Sequence, residues 1–563
     1  MTRFELPTHR KVNHLTLHRE KRRISIREYH ALSARERMEM IEQAQGKEKY
    51  DLILNAPDAE QLVPQLHPQD IYLTVHEIGP EFAVELLMLT STSQVTTLLD
   101  LDCWEEDAVS EKISLNWLLL LLEAGDEKVC QTAREMEPEL LTLFLKKHLW
   151  IIRGPESLKE EDTENAIRPD DLYEVGYRND DAAKIIGAFL SILFAQEQHR
   201  YLLLMEMVRA ELDTALEEEV YQQRNNRLLD LGLTTPLEAR AIYSYVDPDI
   251  FVPASDKQFD LEAEGIQHPG ALLSRAQPTD LLAEILSQGI NHEQAAELTM
   301  LANRKMSADR VDLSDSKAVS ESLTHLYQTL NIGLEKLSQR NHAEPQQLFK
   351  TCYLLEIFQL GHSLVEQLRQ QANDLLKSCI APFLDGPYRR FLETLTGNPP
   401  RLFCGIRLSI NQDEKDLQNR KDLQLAEEQL QQVTIQQQLF SGLLPITLPE
   451  QEFCDLSGCQ PDQCSDLTLS DLFLTALANR LLGREFTPQP IPVAELAELH
   501  GRVSDNRQVS AKVREETVAS MESILIGAGQ FADFCLEIWQ EEFCTLEADK
   551  IDPRYLSGLI VRL

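Results

Sequence analysis

From Asn55 the chain repeats one pattern four times. NAPDAEQLVPQL, HPQDIYLTVHEI, GPEFAVELLMLT and STSQVTTLLDLD each open on a small or polar residue and carry their apolar cluster further on. Pro57, Pro68, Pro80 and Thr92 therefore recur every eleven or twelve residues. Proline is tolerated in the first turn of a helix, where its missing N–H has no partner to lose, and an acidic or amide side chain just after it suits the helix N-terminus. Each block thus predicts one short helix and a turn. A two-turn helix cannot bury its apolar stripe alone, so the blocks are expected to stack into a superhelix. Leu62, Leu66, Leu73, Val75, Leu86, Leu87, Leu98 and Leu99 are its expected seam.

Helical periodicity continues on both sides. Ser33 with Glu36 three residues on is a capping box opening the amphipathic LSARERMEMIEQA. DLDCWEED marks a bend, and helices are expected over Ile113–Glu123 and Pro138–Trp150. Further on, Gly232 stops one helix, and Thr235, Pro236 and Glu238 stand at N-cap, N1 and N3 of the next. Periodicity resumes through Leu281–Asn303 and Leu323–Leu384, in a Gln/Glu-rich helix from Gln412 to Phe440, and in Leu467–Leu482 and Gln508–Glu547.

The pattern predicts a predominantly all-α, multi-helical protein whose N-terminal superhelix is followed by further helical blocks. The expected segments are a basic arm (1–32), the repeat domain (33–153), an acidic linker (154–181), a second helical block (182–246) and a connector (247–280). A third block (281–400) and a C-terminal block (401–563) with the Gln/Glu-rich helix follow.

Composition agrees and narrows the class. Of 563 residues 43% are hydrophobic and 26% charged, which fits a folded protein, and 6% aromatics with 22 glycines favour helix over sheet. A formal charge of −38 repels phosphate backbones, so nucleic-acid binding is not expected except through the arm, where residues 1–30 hold eight Lys and Arg against three Glu. That arm could also touch an anionic membrane, but the acidic body of the same chain, the nearest large anionic surface, is the plainer expectation. No signal-peptide pattern is visible and the longest apolar run, Ile113–Leu122, is too short to span a bilayer. Ten scattered cysteines suit a reducing compartment, so a cytoplasmic location is expected.

Four groups could carry chemistry. His76-Glu77 begins like the zinc-hydrolase HExxH, but Pro80 stands at the second His position. His67 and Asp70, one turn apart, could seed an imidazole–carboxylate site, yet capping alone explains their spacing. Cys454, Cys459 and Cys464, five apart around Gly458 and Pro461, could approach zinc or an iron–sulfur cluster, although no CxxC knuckle supports them and incidental loop thiols are the plainer account. No cofactor is expected otherwise. Arg224, Arg227 and Asp230, at i, i+3 and i+6, could present an anion pocket; exposed pairing of the arginines with this chain's abundant Glu is the simpler alternative. Phosphate-loop, dinucleotide-fold, nucleophile-elbow and EF-hand signatures do not occur.

Two stretches carry a resemblance. LSARERMEMI through DLDCW, and EEEVYQQRNNRLLDLGLTTPLEARAIYSYVDP, resemble a bacterial family known only as a domain of unknown function, over most of the chain. That resemblance implies no activity. Residues 50–150 alone are similar to the helical N-terminal intracellular domain of MgtE magnesium transporters, whose short helices form a superhelix. Together these features lean away from an enzyme and toward a scaffold or regulatory protein that binds a macromolecular, most simply protein, partner. The alternative is an enzyme or small-ligand or metal sensor using Arg224 and Arg227 or the cysteine loop.

Overall fold

A computed structural model describes the chain except residues 1–2, 6–8, 13–14, 19–22, 45, 106, 154–172, 255–256, 258–279, 342–343, 407–413, 450–455 and 549–550. The twelve-residue periodicity becomes a succession of short helices. Ser33 caps Ala34–Gln43 through the expected capping box, its Oγ accepting from Glu36 N while Ser33 N donates to the Glu36 carboxylate. Gly46–Leu54 follows, then Ala59–Leu62 continuing into a 3-10 turn at Val63–Gln65. Pro68 opens Pro68–Ile78 with His67 as N-cap, and Gly79, at φ 103°, ends it in a conformation that side chains other than glycine resist. Pro80–Phe82 and Val84–Leu89 form the third block, and Ser91 caps Thr92–Asp102 in a capping box with Gln94.

The expected seam is buried with one exception. Leu62, Leu66, Val75, Leu86, Leu87, Leu98 and Leu99 lie in the core, whereas Leu73 is only half-buried. Ile71 and Tyr72 fill the inward stripe instead. At 100° per residue, 71, 72 and 75 fall within one arc of about 100°, and 73 stands about 160° from both 71 and 75, outside it.

Beyond the repeat, the hairpin Trp104–Glu105 with Ala108–Val109 leads into Glu111–Glu123, Asp126–Glu135 and Pro138–His148. The last of these stops two residues before the expected end, because Leu149–Arg153 pairs antiparallel with Glu174–Tyr177. Gly176 leaves room for its cross-strand partner Trp150, whose indole lies where a Cβ on Gly176 would sit. Asp180–Gln196, Gln198–Ala210 and Asp213–Asp230 pack on the same core. In the basic arm, Arg3–Glu5 pairs with Arg23–Ser25 and His9–Val12 with Leu15–His18, both antiparallel.

The chain divides into two compact units. One comprises Met1–Ser244, Val252–Leu330 and Leu337–Gln359, the other Tyr245–Phe251, Asn331–Lys336 and Leu360–Leu563. In the second unit Asn419 caps Arg420–Gln438, a start later than the Gln412 expected from composition, because Glu414–Asp416 pairs as a strand with Arg401–Phe403. Leu469–Leu481 is buried almost throughout and packs with Ala528–Ile538 around Phe391, Phe473, Phe531 and Trp539. The terminal strand Val561–Arg562 lies between Cys459–Gln460, antiparallel, and Ile491–Pro492, parallel. It is tied to Leu469–Leu481 by two side chains: Gly558 N donates to Asp471 Oδ1 at 2.9 Å and Ile560 N to Thr475 Oγ1 at 2.8 Å. The molecule is therefore predominantly helical, with small strand pairs as clasps. Among the described residues no helix is long and apolar enough to cross a membrane.

Candidate functional site

Thr92–Asp102 ends with two carboxylates in its last turn, Asp100 and Asp102. Negative charge there opposes the helix dipole, so both groups need strong partners. Asp100 is fully buried, and Arg227 of Asp213–Asp230 meets it with two parallel hydrogen bonds, Nε to Oδ2 at 2.7 Å and Nη2 to Oδ1 at 2.9 Å. The remaining Arg227 nitrogen, Nη1, donates to Glu137 Oε1 at 3.1 Å. One turn earlier, Arg224 donates from Nε to the Asp100 carbonyl at 2.8 Å and lies over the Trp104 ring at 5.1 Å. Trp104 in turn tilts against Tyr221, 5.9 Å between centroids.

Electrostatics follow this geometry. Burial pushes the Asp100 carboxyl up, against the downward pull of Arg227. Burial works against the Arg227 cation, but the Asp100 and Glu137 carboxylates outweigh it and raise its pKa; for Arg224 burial prevails and lowers it. A bidentate guanidinium–carboxylate contact is the strongest arrangement open to a buried ion pair.

Asp102 faces the opposite way. It accepts from Trp117 Nε1 at 2.6 Å and Tyr72 Oη at 3.2 Å, and His76 Nε2 stands 3.2 Å from its Oδ1. Burial raises its pKa, but the His76, Trp117 and Tyr72 contacts prevail and hold it below the usual carboxylate range. His76 also stacks at 4.4 Å on Tyr72, so the histidine that began an incomplete HExxH is a partner of this corner.

The other sequence candidates separate. Asp230 is exposed: six residues of helix turn it about 120° from Arg224, off the stripe that reaches Asp100. His67 caps its helix, Nδ1 accepting from Gln69 N at 3.3 Å. Asp70, in the first turn, pairs at 3.5 Å with Lys49, both side chains almost wholly buried. Burial and the charge of Asp70 push neighbouring Glu42 up to about 7. Cys459 is buried in the strand beside Arg562 and Cys464 opens a 3-10 turn, half-buried; Cys454 lies outside the described residues. Among the described residues no three His, Cys, Asp or Glu side chains are grouped to hold a metal ion.

Asp100, Asp102, Trp117, Glu137 and Lys49 were not candidates from sequence. The available signal was the pair of carboxylates at a helix C-terminus, where isolated helices disfavour them.

These features define a helical protein of short capped segments joined through a buried ionic corner. The chain belongs to a family of unknown function (DUF6178), whose model matches residues 26–562. No curated protein and no solved structure matches it. The comparisons lend no support to the likeness of residues 50–150 to MgtE transporters.

Proposed function

We propose that the protein is a non-catalytic cytoplasmic scaffold or regulatory protein that binds a protein partner through the surface of its helical stack. One observation carries this reading: the third block of the repeat turns large apolar side chains outward, Phe82 at 66% and Met88 at 55% exposure, while Leu86 and Leu87 between them are buried. Stacked short helices offer neighbouring side chains from successive turns as one contact surface, and exposed aromatic and methionine side chains are the residue types that anchor protein interfaces. The test is a pull-down from native lysate at several ionic strengths with the wild-type chain and Phe82→Ser/Met88→Ser, circular dichroism confirming that both are folded. A stoichiometric partner held by the wild type and lost from the variant supports the reading. Recovery of no stoichiometric partner, or equal recovery by both proteins, overturns it.

A further inference from the structure

From Tyr50 through Glu111 the chain has thirteen Asp and Glu and not one Lys or Arg. Among the described residues, eight of these acids fall into two sets. Asp58, Asp70, Asp100 and Asp102 are drawn to Arg37, Lys49, Arg227 and His76. Glu77, Glu81 and Glu85 are exposed, and Glu111, exposed as well, pairs with Arg178 at 2.8 Å. Along Pro80–Leu89 the exposed acids interleave with the exposed apolar residues, in the order Glu81, Phe82, Glu85, Met88, while Ala83, Leu86 and Leu87 are buried beneath. Tyr50 fixes this segment by donating to the Phe82 carbonyl at 2.8 Å and to Glu85 Oε2 at 3.2 Å. Helix Glu111–Glu123 packs against Val84–Leu89 and exposes Leu119 to 38%.

We propose that this face takes a basic amphipathic segment of a partner protein, with an apolar side chain on Phe82 and Met88 and lysines or arginines against Glu81 and Glu85. This rests on the scaffold reading above and narrows it to one partner chemistry. Charge complementarity selects it: a stretch without a single Lys or Arg repels phosphate backbones and anionic lipid headgroups, and attracts a cationic segment. Apolar contact supplies what charge alone cannot, because an exposed charge pair contributes little on its own in water and its field is screened beyond a Debye length of about 8 Å at physiological salt.

The test uses the full chain and three fluorescent synthetic peptides of equal length: a Leu/Lys amphipathic helix, a Gly/Lys peptide of the same charge, and a Leu/Glu helix. The Leu/Lys probe should bind at least about tenfold tighter than either of the others, and its affinity should fall as salt is raised. Phe82→Ser/Met88→Ser and Glu81→Gln/Glu85→Gln should each weaken it severalfold, while Ile526→Ser, an exposed apolar residue of the other compact unit, leaves it unchanged. Equal binding of the Leu/Lys and Gly/Lys probes, stronger binding of the Leu/Glu probe, or either double variant binding like the wild type overturns the proposal. A native partner lost with the Phe82/Met88 variant but kept by Glu81→Gln/Glu85→Gln would leave the scaffold reading standing and remove this one.

Discussion

Arg227 holds the fully buried Asp100 through two parallel hydrogen bonds, joining residues 127 positions apart in the chain. Arg227→Ala would leave the Asp100 carboxylate in the core without the guanidinium that forks it, with only Arg224 nearby, a loss of up to about 3–5 kcal/mol. Arg227→Lys should recover part of it, since an ammonium cannot reproduce the fork. Urea denaturation of the two variants and of Asp100→Asn/Arg227→Met checks this. A double variant as damaged as Arg227→Ala would show that the cost is lost packing and not a stranded charge.

Lys128 is buried, and its ammonium donates to the carbonyl and to the hydroxyl of Thr90. Burial lowers its pKa to about 8 from an ordinary 10.5. The unfolded chain therefore keeps this proton more readily than the folded one, and stability contributed here rises as pH goes from 8 toward 10.5. Lys128→Met should remove that rise: measured at pH 7 and pH 10, the wild type gains on the variant as the solution becomes alkaline. Parallel curves would refute the burial of a strained cation.

Asp385 gives the opposite sign. It is buried, accepts a hydrogen bond from Ser470, and burial together with nearby Asp471 pushes it up to about 7 from 3.8. Here the folded state binds the proton more tightly, so stability is complete below pH 3.8 and is lost as pH rises through 7. Asp385→Asn keeps an acceptor for Ser470 and cannot ionise. Thermal melts between pH 5 and 8 should show the wild type losing stability relative to this variant, and an unchanged difference across that range would count against a protonated Asp385.

Gly558 sits at φ 80°, with its carbonyl accepting from Trp539 Nε1 at 3.1 Å. A Cβ there would come within 3.0 Å of Leu474 Cδ1 and 3.2 Å of Ile538 Cγ2. Gly558→Ala combines backbone strain with this crowding and should destabilise by more than about 1 kcal/mol. Its hydrogen exchange should quicken first at Ile560 and Val561. Unchanged exchange there would mean that the terminal strand does not depend on this turn.

What the sequence disclosed was local. Ser33 with Glu36, Pro68 after His67, and Thr235 before Pro236 announce helix starts because the capping partners lie within three residues, and each stands where that chemistry requires. Arg224 and Arg227 were recognisable as sharing a helical face. Their acceptor was not, since nothing near Asp100 in the chain points to a residue more than a hundred positions on. Leu73 failed for a different reason: composition marks it as core, but it stands about 160° around the helix from Val75, so the two cannot share one inward stripe, and Ile71 and Tyr72 take its place. Paired strands such as Leu149–Arg153 with Glu174–Tyr177 were invisible because a short strand at a helix end has no period long enough to read.

The interleaving of the two compact units bears on how this protein can be dissected or shuffled. Tyr245–Phe251 and Asn331–Lys336 belong with the C-terminal unit, although the chain on either side of each belongs with the other. No single cut releases either unit whole, and a fragment beginning at Leu360 would lack two stretches of its own body. A gene exchange at one breakpoint would damage both. The model of its family matches residues 26–562, across every one of these crossings.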